Sequence, residues 1–481
     1  MSGGAGPDRP FRRLSPLTPL VRGSLVVVVV LGSTWDDLLR GDVGPIGWVL
    51  LATVVGGAVF GTVSWLRTKY WIEGDELRVD TGVLARQSRR IRVDRLQGID
   101  IVQPFVARLF GLAELKMDVA GGGAREGSLA FLPLAEAHRL RETLLARRDA
   151  VREGEAAVTA PSGTAEREVA RLDIATLVLS LLLSPETAGF VAAAVALGVT
   201  FGLLGELGGL AGVVPVVLGF AWTEFRRLSA YYRFTVLTVH DAAAPDTPGL
   251  PAPTGVQVRR GLFERNTATI ALSRVQGVLV TEPWMWRPFG WARLDVAIAG
   301  YGREEHHGGP TASTVMPVAP LAAVRELARI LLIDAGAPDP LDVVLEPPPA
   351  RARWVAPLRW RYLGVGLSER LLVARVGLLT RRTHVVPYAR VQSLQLLQRP
   401  WQRRLGLADL QVDSPQGPVR LRARHRDARQ ARELLDRTHG LARRARTGAD
   451  RQRLVRTQQK SPSPSGASSS AASSARESSS R

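Results

Sequence analysis

Residues 82–115 read GVLARQSRRIRVDRLQGIDIVQPFVARLFGLAEL, and the same skeleton returns at residues 261–294 and 377–410. Gly82, Gly261 and Gly377 open the three copies, and four residues on stand Arg86, Arg265 and Arg381. Next come Arg95, Arg274 and Arg390, each followed two residues later by Gln97, Gln276 and Gln392. Gln103, Glu282 and Gln398 follow, then Arg108, Arg287 and Arg403. Gly111, Gly290 and Gly406 precede the last shared position, Leu115, Leu294 and Leu410. Eight positions agree in three segments without a gap, so the chain carries three homologous modules.

Each module reads as strands. Leu77 and Val79 alternate with polar residues before Gly82, and Ile91, Val93, Ile99 and Ile101 continue the alternation. The opening glycines fall where a hairpin reverses, which calls for tolerance of positive φ. Amphipathic helices are expected to close the modules at Pro133–Arg148, Pro317–Ile333 and Asp427–Leu441, each with an Arg-Glu pair.

Outside the repeats the chain is apolar in blocks. It has 481 residues, 63 Lys+Arg against 44 Asp+Glu, a net charge of +19 and no cysteine. Its mean hydropathy is +0.04. The missing cysteines exclude disulfides, zinc–thiolate sites, iron–sulfur clusters and thiol nucleophiles. Gly47–Leu66 holds no charge and is bracketed by Trp48 and Trp65; at about 1.5 Å per residue it is as long as a bilayer core is thick. An earlier run, residues 17–35, contains five consecutive valines, Val26 to Val30. A second block, Ile174 to Phe225, is long enough for two spans that turn near Glu206. Arg9, Arg12, Arg13, Arg67, Lys69, Arg226 and Arg227 flank one side and Asp36, Asp37 and Asp42 the other. By the positive-inside rule both termini and all three modules face the cytoplasm. A multi-pass protein of the bacterial plasma (inner) membrane is the expected location.

Strand-rich modules with G-(L/V/F)-x-x-R, R-(V/L)-Q and R-x-x-G-x-x-x-L, a closing helix and preceding apolar spans resemble the bacterial membrane-flanked PH-like domain family, the YdbS/YdbT-like membrane proteins. The resemblance covers roughly residues 15 to 440. It implies membrane α-helical hairpins plus three PH-like small β-sandwich or barrel domains, each closed by a C-terminal α-helix. It carries no enzymatic activity and no agreed ligand residues, and it suggests a partner of the same family with a single such domain.

The expected organisation is an N-terminal cytoplasmic segment (1–16), a hairpin (17–66, spans 17–35 and 47–66), domain 1 (67–150) and a linker (151–172). A second hairpin (173–225, spans 174–203 and 208–225) leads to domain 2 (226–336) with a Pro-rich insertion at 241–255. A linker (337–356), domain 3 (357–442) and a basic, then Ser-rich, disordered tail (443–481) complete it.

The repeated Arg95, Arg274 and Arg390, with Arg108, Arg287 and Arg403, are candidate contacts for lipid phosphate or an acidic partner, since guanidinium donates in a planar fork; support of the fold is the competing role. Gln97, Gln276 and Gln392 read as structural amides that tie strand edges, beside the glycines. Trp284, Trp286 and Trp291 suit insertion at a membrane interface, docking on the spans or a local mini-core. Glu186, within an apolar block, is a candidate intramembrane polar site or an interfacial residue. His306-His307 lacks a spaced second pair of ligands and reads as a solvated loop. No Walker A, dinucleotide-binding, H-E-x-x-H or nucleophile-elbow motif is present, so neither enzyme, metal nor cofactor is expected. The basic stretch Arg420 to Lys460 is drawn to anionic inner-leaflet lipid, and nucleic acid is not expected. The function expected is a non-catalytic inner-membrane scaffold binding anionic lipid or partner proteins, in envelope maintenance or stress defence. The competing reading is a transporter or lipid-handling accessory built around Glu186.

Overall fold

The computed structural model describes residues 12–13, 44–81, 87–93, 96–119, 128–153, 165–204, 210–240, 253–263, 265–299, 313–333, 336, 339–413 and 417–460. Gly82, Arg86, Arg95, the loop around Glu206, residues 241–252 of the Pro-rich insertion, His306-His307 and the Ser-rich end lie outside them, as does the 17–35 span.

Domain 1 runs β1 (Arg12–Arg13), α1 (Pro45–Arg67), β2 (Lys69–Glu73), β3 (Glu76–Thr81), β4 (Gln87–Arg92), β5 (Leu96–Gln103), α2 (Phe105–Leu109), β6 (Leu112–Val119), β7 (Ser128–Pro133) and α3 (Leu134–Glu153). Domain 2 runs β8 (Ala165–Arg171), α4 (Ile174–Leu182), α5 (Pro185–Leu204), α6 (Leu210–Tyr231), β9 (Thr235–His240), β10 (Pro253–Arg260), β11 (Arg265–Ala271), β12 (Val275–Pro283), β13 (Trp291–Ile298), β14 (Thr314–Pro320) and α7 (Leu321–Leu331). Domain 3 runs β15 (Gly364–Leu367), β16 (Leu371–Val376), β17 (Thr380–Pro387), β18 (Ser393–Leu397), α8 (Pro400–Arg404), β19 (Leu407–Asp413), β20 (Arg422–Asp427) and α9 (Ala428–Lys460).

Where they are described, the repeated residues shape the same turns. Gly261 and Gly377 have φ near +107 and +108, so the hairpin there excludes other residues. Gly111, Gly290 and Gly406 are left-handed, with φ of +66, +63 and +60, and end the short helical turn before the next strand. Their carbonyls accept the first N–H of α3, α7 and α9, from Leu134, Leu321 and Ala428, at 2.8–3.0 Å. Leu115, Leu294 and Leu410 are fully buried. On α7, Val324, Leu327, Ala328 and Leu331 face the domain 2 core.

All pairing is antiparallel, and the sheets cross the module boundaries. The seven-stranded order β7-β6-β5-β11-β10-β9-β8 joins domains 1 and 2; the six-stranded order β14-β13-β12-β17-β16-β15 joins domains 2 and 3. β12 is therefore buried on both faces. Val278 and Val280 point into the domain 2 core while Leu279 points into the domain 3 core. On β16 and β17 the same alternation sends Leu371, Val373 and Val385 one way and Leu372, Ala374 and Val386 the other. At the ends of the row remain β1-β2-β3-β4 and β18-β19-β20.

Three boundaries differ from the sequence expectation. The 151–172 linker contains β8, which completes the domain 2 sheet beside β9. The expected 174–203 span is broken: α4 ends at Leu182, the Ser184 hydroxyl and Thr187 exchange hydrogen bonds, and α5 restarts at Pro185, a residue suited to a first helical turn. The tail does not begin at 443, because α9 continues to Lys460 through a run rich in the strong helix formers Ala, Arg and Gln. Among the described residues two helices, Gly47–Arg67 and Pro185–Leu203, are long and apolar enough to cross a membrane.

Candidate functional site

Every module leaves its sheet and returns to it. β1 and β2 pair on either side of residues 14–68, and β8 and β9 on either side of 172–234. In domain 3, Glu346 bridges Val365. The first two excursions carry apolar helices. The third is only RARWVAPLRWRYL, Arg351 to Leu363, with 3-10 turns at Ala350–Trp354 and Trp360–Tyr362. This segment stands where its sister domains send out their apolar helices.

Its ends are pinned. Arg426, almost fully buried, donates to the carbonyls of Glu346 and Pro347 at 2.9 and 2.7 Å and to the Glu346 carboxylate at 3.0 Å. Arg351 pairs with Asp427. Between these anchors the segment shows its apolar side chains to solvent: Trp354 is 72% and Leu358 75% exposed. Arg353 lies over the Trp354 ring at 5.4 Å, and Arg361 over Trp360 at 5.4 Å. Such Arg–Trp pairs combine an apolar body with a cationic rim.

Behind the segment is a cavity of about 180 Å³ lined by Arg359, Arg382, Arg424, His425, Thr380 and Gly377. None of the three arginines has an ion-pair partner among the described residues, and the Arg424 Nε is buried without a hydrogen bond. Burial, followed by repulsion from Arg422, lowers the Arg424 pKa, with Arg359 and Arg399 adding to it and Asp409 opposing. The floor is rigid. Gln402 Nε2 donates to Asp409 Oδ1 at 2.6 Å and to His425 Nδ1 at 2.9 Å, and the His425 backbone N–H donates to Asp409 Oδ1 at 2.8 Å. An amide nitrogen can only donate, so His425 Nδ1 is unprotonated. Burial, with Arg424, Arg359 and Arg399, lowers its pKa against the pull of Asp409. A contiguous groove of about 430 Å³ runs along Val355, Pro357, Leu358, Leu378 and Leu379. Together they offer uncompensated cationic donors behind an apolar rim.

The arginines singled out by repetition have other work. Arg108 donates to the Leu262 carbonyl at 2.9 Å, and Arg287 to that of Leu378 at 2.9 Å, so each holds the opening turn of the next domain. Arg390 donates to the Ser273 carbonyl at 2.6 Å, back across the domain 2–3 boundary. Arg274 is half-buried and Arg403 exposed. These bonds place Arg108, Arg287 and Arg390 at the junctions between modules, the fold-supporting role that competes with anion contact. Gln276 is buried and donates to the Arg274 carbonyl at 3.2 Å, whereas Gln392 is exposed; Gln97 lies on β5.

Trp286 is buried, not presented to a membrane: its indole N–H donates to the Ser180 carbonyl of α4 at 3.1 Å. Trp291 stacks on Phe289 at 4.8 Å, and Trp284 is half exposed. Glu186 sits in the first turn of α5, where the helix dipole suits a carboxylate, and its charge reaches Arg293 of domain 2. It is at an end of the apolar helix, not midway along it. No group of three or more metal-ligating side chains occurs among the described residues.

The sequence reading passed over Arg359, Arg382, Arg424 and the 351–363 segment. The alternation of Arg with Trp and Tyr after three prolines was the available signal, and the linker assigned to 337–356 hid it.

A row of β-sandwich modules sharing sheets, with apolar helices inserted at one corner of two of them, defines a membrane-associated multidomain architecture. A family model described as Bacterial PH domain matches residues 26–148, 178–335 and 343–441, and the chain belongs to that family. The first two matches include the apolar blocks and the third includes the Arg-Trp segment. The chain is similar to "UPF0699 transmembrane protein YdbT" of Bacillus subtilis (strain 168), 24% identical over 284 residues, 55% of each chain. It thus spans about half the length of that relative.

Proposed function

We propose that this protein is a non-catalytic scaffold of the bacterial plasma membrane, and that domain 3 binds anionic lipid phosphate in the Arg359–Arg382–Arg424 cavity while Trp354 and Leu358 enter the headgroup layer. The carrying observation is the placement of three guanidiniums without ion-pair partners among the described residues beside an Arg-Trp segment that stands where the other two modules send out their apolar helices. Phosphate accepts from guanidinium in a planar fork, and the partial burial of Arg424 strengthens the contact.

Strand pairing supports paired crossings. Arg12 faces Tyr70, and Arg171 faces Thr235, so the chain returns to the side it left after each apolar block. An even number of crossings per block, hence two hairpins with all domains and both termini on the cytoplasmic side, fits this and the Lys/Arg bias. A role in envelope maintenance or stress defence fits such a scaffold, as does a partner protein of the same family.

Native mass spectrometry of the full chain in detergent tests the lipid site. Wild type is expected to retain phosphatidylglycerol in preference to phosphatidylcholine. Arg359→Ala with Arg424→Ala is expected to weaken that retention roughly a hundredfold, at about 1.5 kcal/mol for each charge-assisted bond. Equal retention of both lipids, or an unaffected double variant, contradicts the reading.

A further inference from the structure

The two internal junctions are built alike. Counted from the opening glycine, positions 4, 5 and 6 of a module face positions 21, 20 and 19 of the one before: Arg265 with Gln103, Asn266 with Val102 and Thr267 with Ile101. Arg381 with Glu282, Arg382 with Thr281 and Thr383 with Val280 repeat this, and the second junction extends to Val385 with Val278. At each, the repeated arginine Arg108 or Arg287 caps a carbonyl of the following module.

Among the described residues, the same two half-junctions have no strand partner at the ends of the row. β4 is the outer strand of its sheet and β18 of its own. Both are more exposed than their sisters. Gln87, Ser88, Arg89 and Arg90 are exposed on β4, where β17 is buried from Thr383 to Pro387. Leu394 and Leu396 are only half-buried, although Val278 and Val280 at the same repeat positions are almost completely buried. β18 carries no charge and no proline, the usual devices that keep an edge strand single. Arg403, the third member of the capping series, has no side-chain partner among the described residues.

We propose that copies of this chain join head to tail, β18 of one pairing antiparallel with β4 of the next in the register of the internal junctions. Ser88 then lies opposite Leu396 and Arg89 opposite Gln395, so the neutral strand meets the basic one with no like charges facing. A second copy is the matched occupant because one chain carries both complementary edges, each shaped by the junction it repeats. The contact is heterologous, so it propagates into a ring or a row within the membrane plane. It does not depend on the lipid reading.

The absence of cysteine makes the test direct. Two differently tagged full-length chains, one Ser88→Cys and the other Leu396→Cys, are co-expressed and mildly oxidised in native membranes. Most of the chain is expected as a covalent dimer carrying both tags. Gln395→Cys, on the opposite face of β18, is expected to link to Ser88→Cys at least tenfold less. Links chiefly between identical variants, capture of Leu396→Cys only by a different protein, or no interchain link would overturn the proposal. All three positions are exposed or half-exposed, so the variants keep the fold.

Discussion

Gly377→Ala is expected to unfold domain 3 from β15 to β20. A Cβ at Gly377 would meet the Thr380 carbonyl oxygen, which is backbone in the same tight hairpin and has nowhere to move. The φ of +108 adds strain for any L side chain. Positive φ alone costs about 1–3 kcal/mol, and the clash takes the total above about 3 kcal/mol, a large share of an ordinary domain's stability. Gly406→Ala provides the contrast. Its φ is +60, and the nearest atom to a Cβ there is the end of the flexible Arg351 side chain at 3.7 Å. About 1 kcal/mol is the expected cost. Hydrogen exchange across 364–427 separates the two; equal protection in both variants contradicts the junction geometry.

Acid is expected to loosen domain 3 through His384. Burial, then Arg382 and Arg424, pushes its pKa down to about 4 from an ordinary value of 6.5. It lies on β17, and its Nδ1 accepts the Arg420 N–H at 3.3 Å, which only a neutral ring can do. An unfolded chain takes up the proton below about pH 6.5 while the native one does not. Stability is therefore complete above 6.5 and falls as pH drops toward 4, by about 3 kcal/mol over the interval. His384→Gln, which keeps an acceptor and cannot titrate, is expected to shift acid unfolding of this domain to lower pH. An unmoved midpoint would assign the acid sensitivity elsewhere.

His384 also marks the limit of what the chain's pattern discloses. Period-two alternation and the three glycines locate strands and hairpins, because both follow from local geometry. Which sheet a strand joins does not: β12 and β17 pair over about a hundred residues of separation, and nothing in either names the other. The run Val278-Leu279-Val280, apolar without alternation, records burial on both faces of β12. Repetition of Arg108, Arg287 and Arg403 was visible as sequence, but repetition is equally what a serial junction and a ligand site would leave. The bonds to the carbonyls of Leu262 and Leu378 add the junction role, which repetition alone does not single out. Arg359, Arg382 and Arg424 come from three separate segments, so no spacing unites them. The place of Glu186 in a first helical turn is set by the break at Ser184–Pro185, a local effect of helix capping that hydropathy averages away.

In the proposed function, domain 3 faces the bilayer with a short Arg-Trp segment at the place where the other two modules send out their apolar helices. A single Leu358→Cys in this cysteine-free chain, labelled with an environment-sensitive fluorophore and reconstituted in anionic nanodiscs, reports on it directly. Blue-shifted emission that headgroup-level spin-labelled lipid quenches is the expected result, reduced in zwitterionic discs. Water-like, unquenched emission in both compositions would show that the segment points away from the membrane.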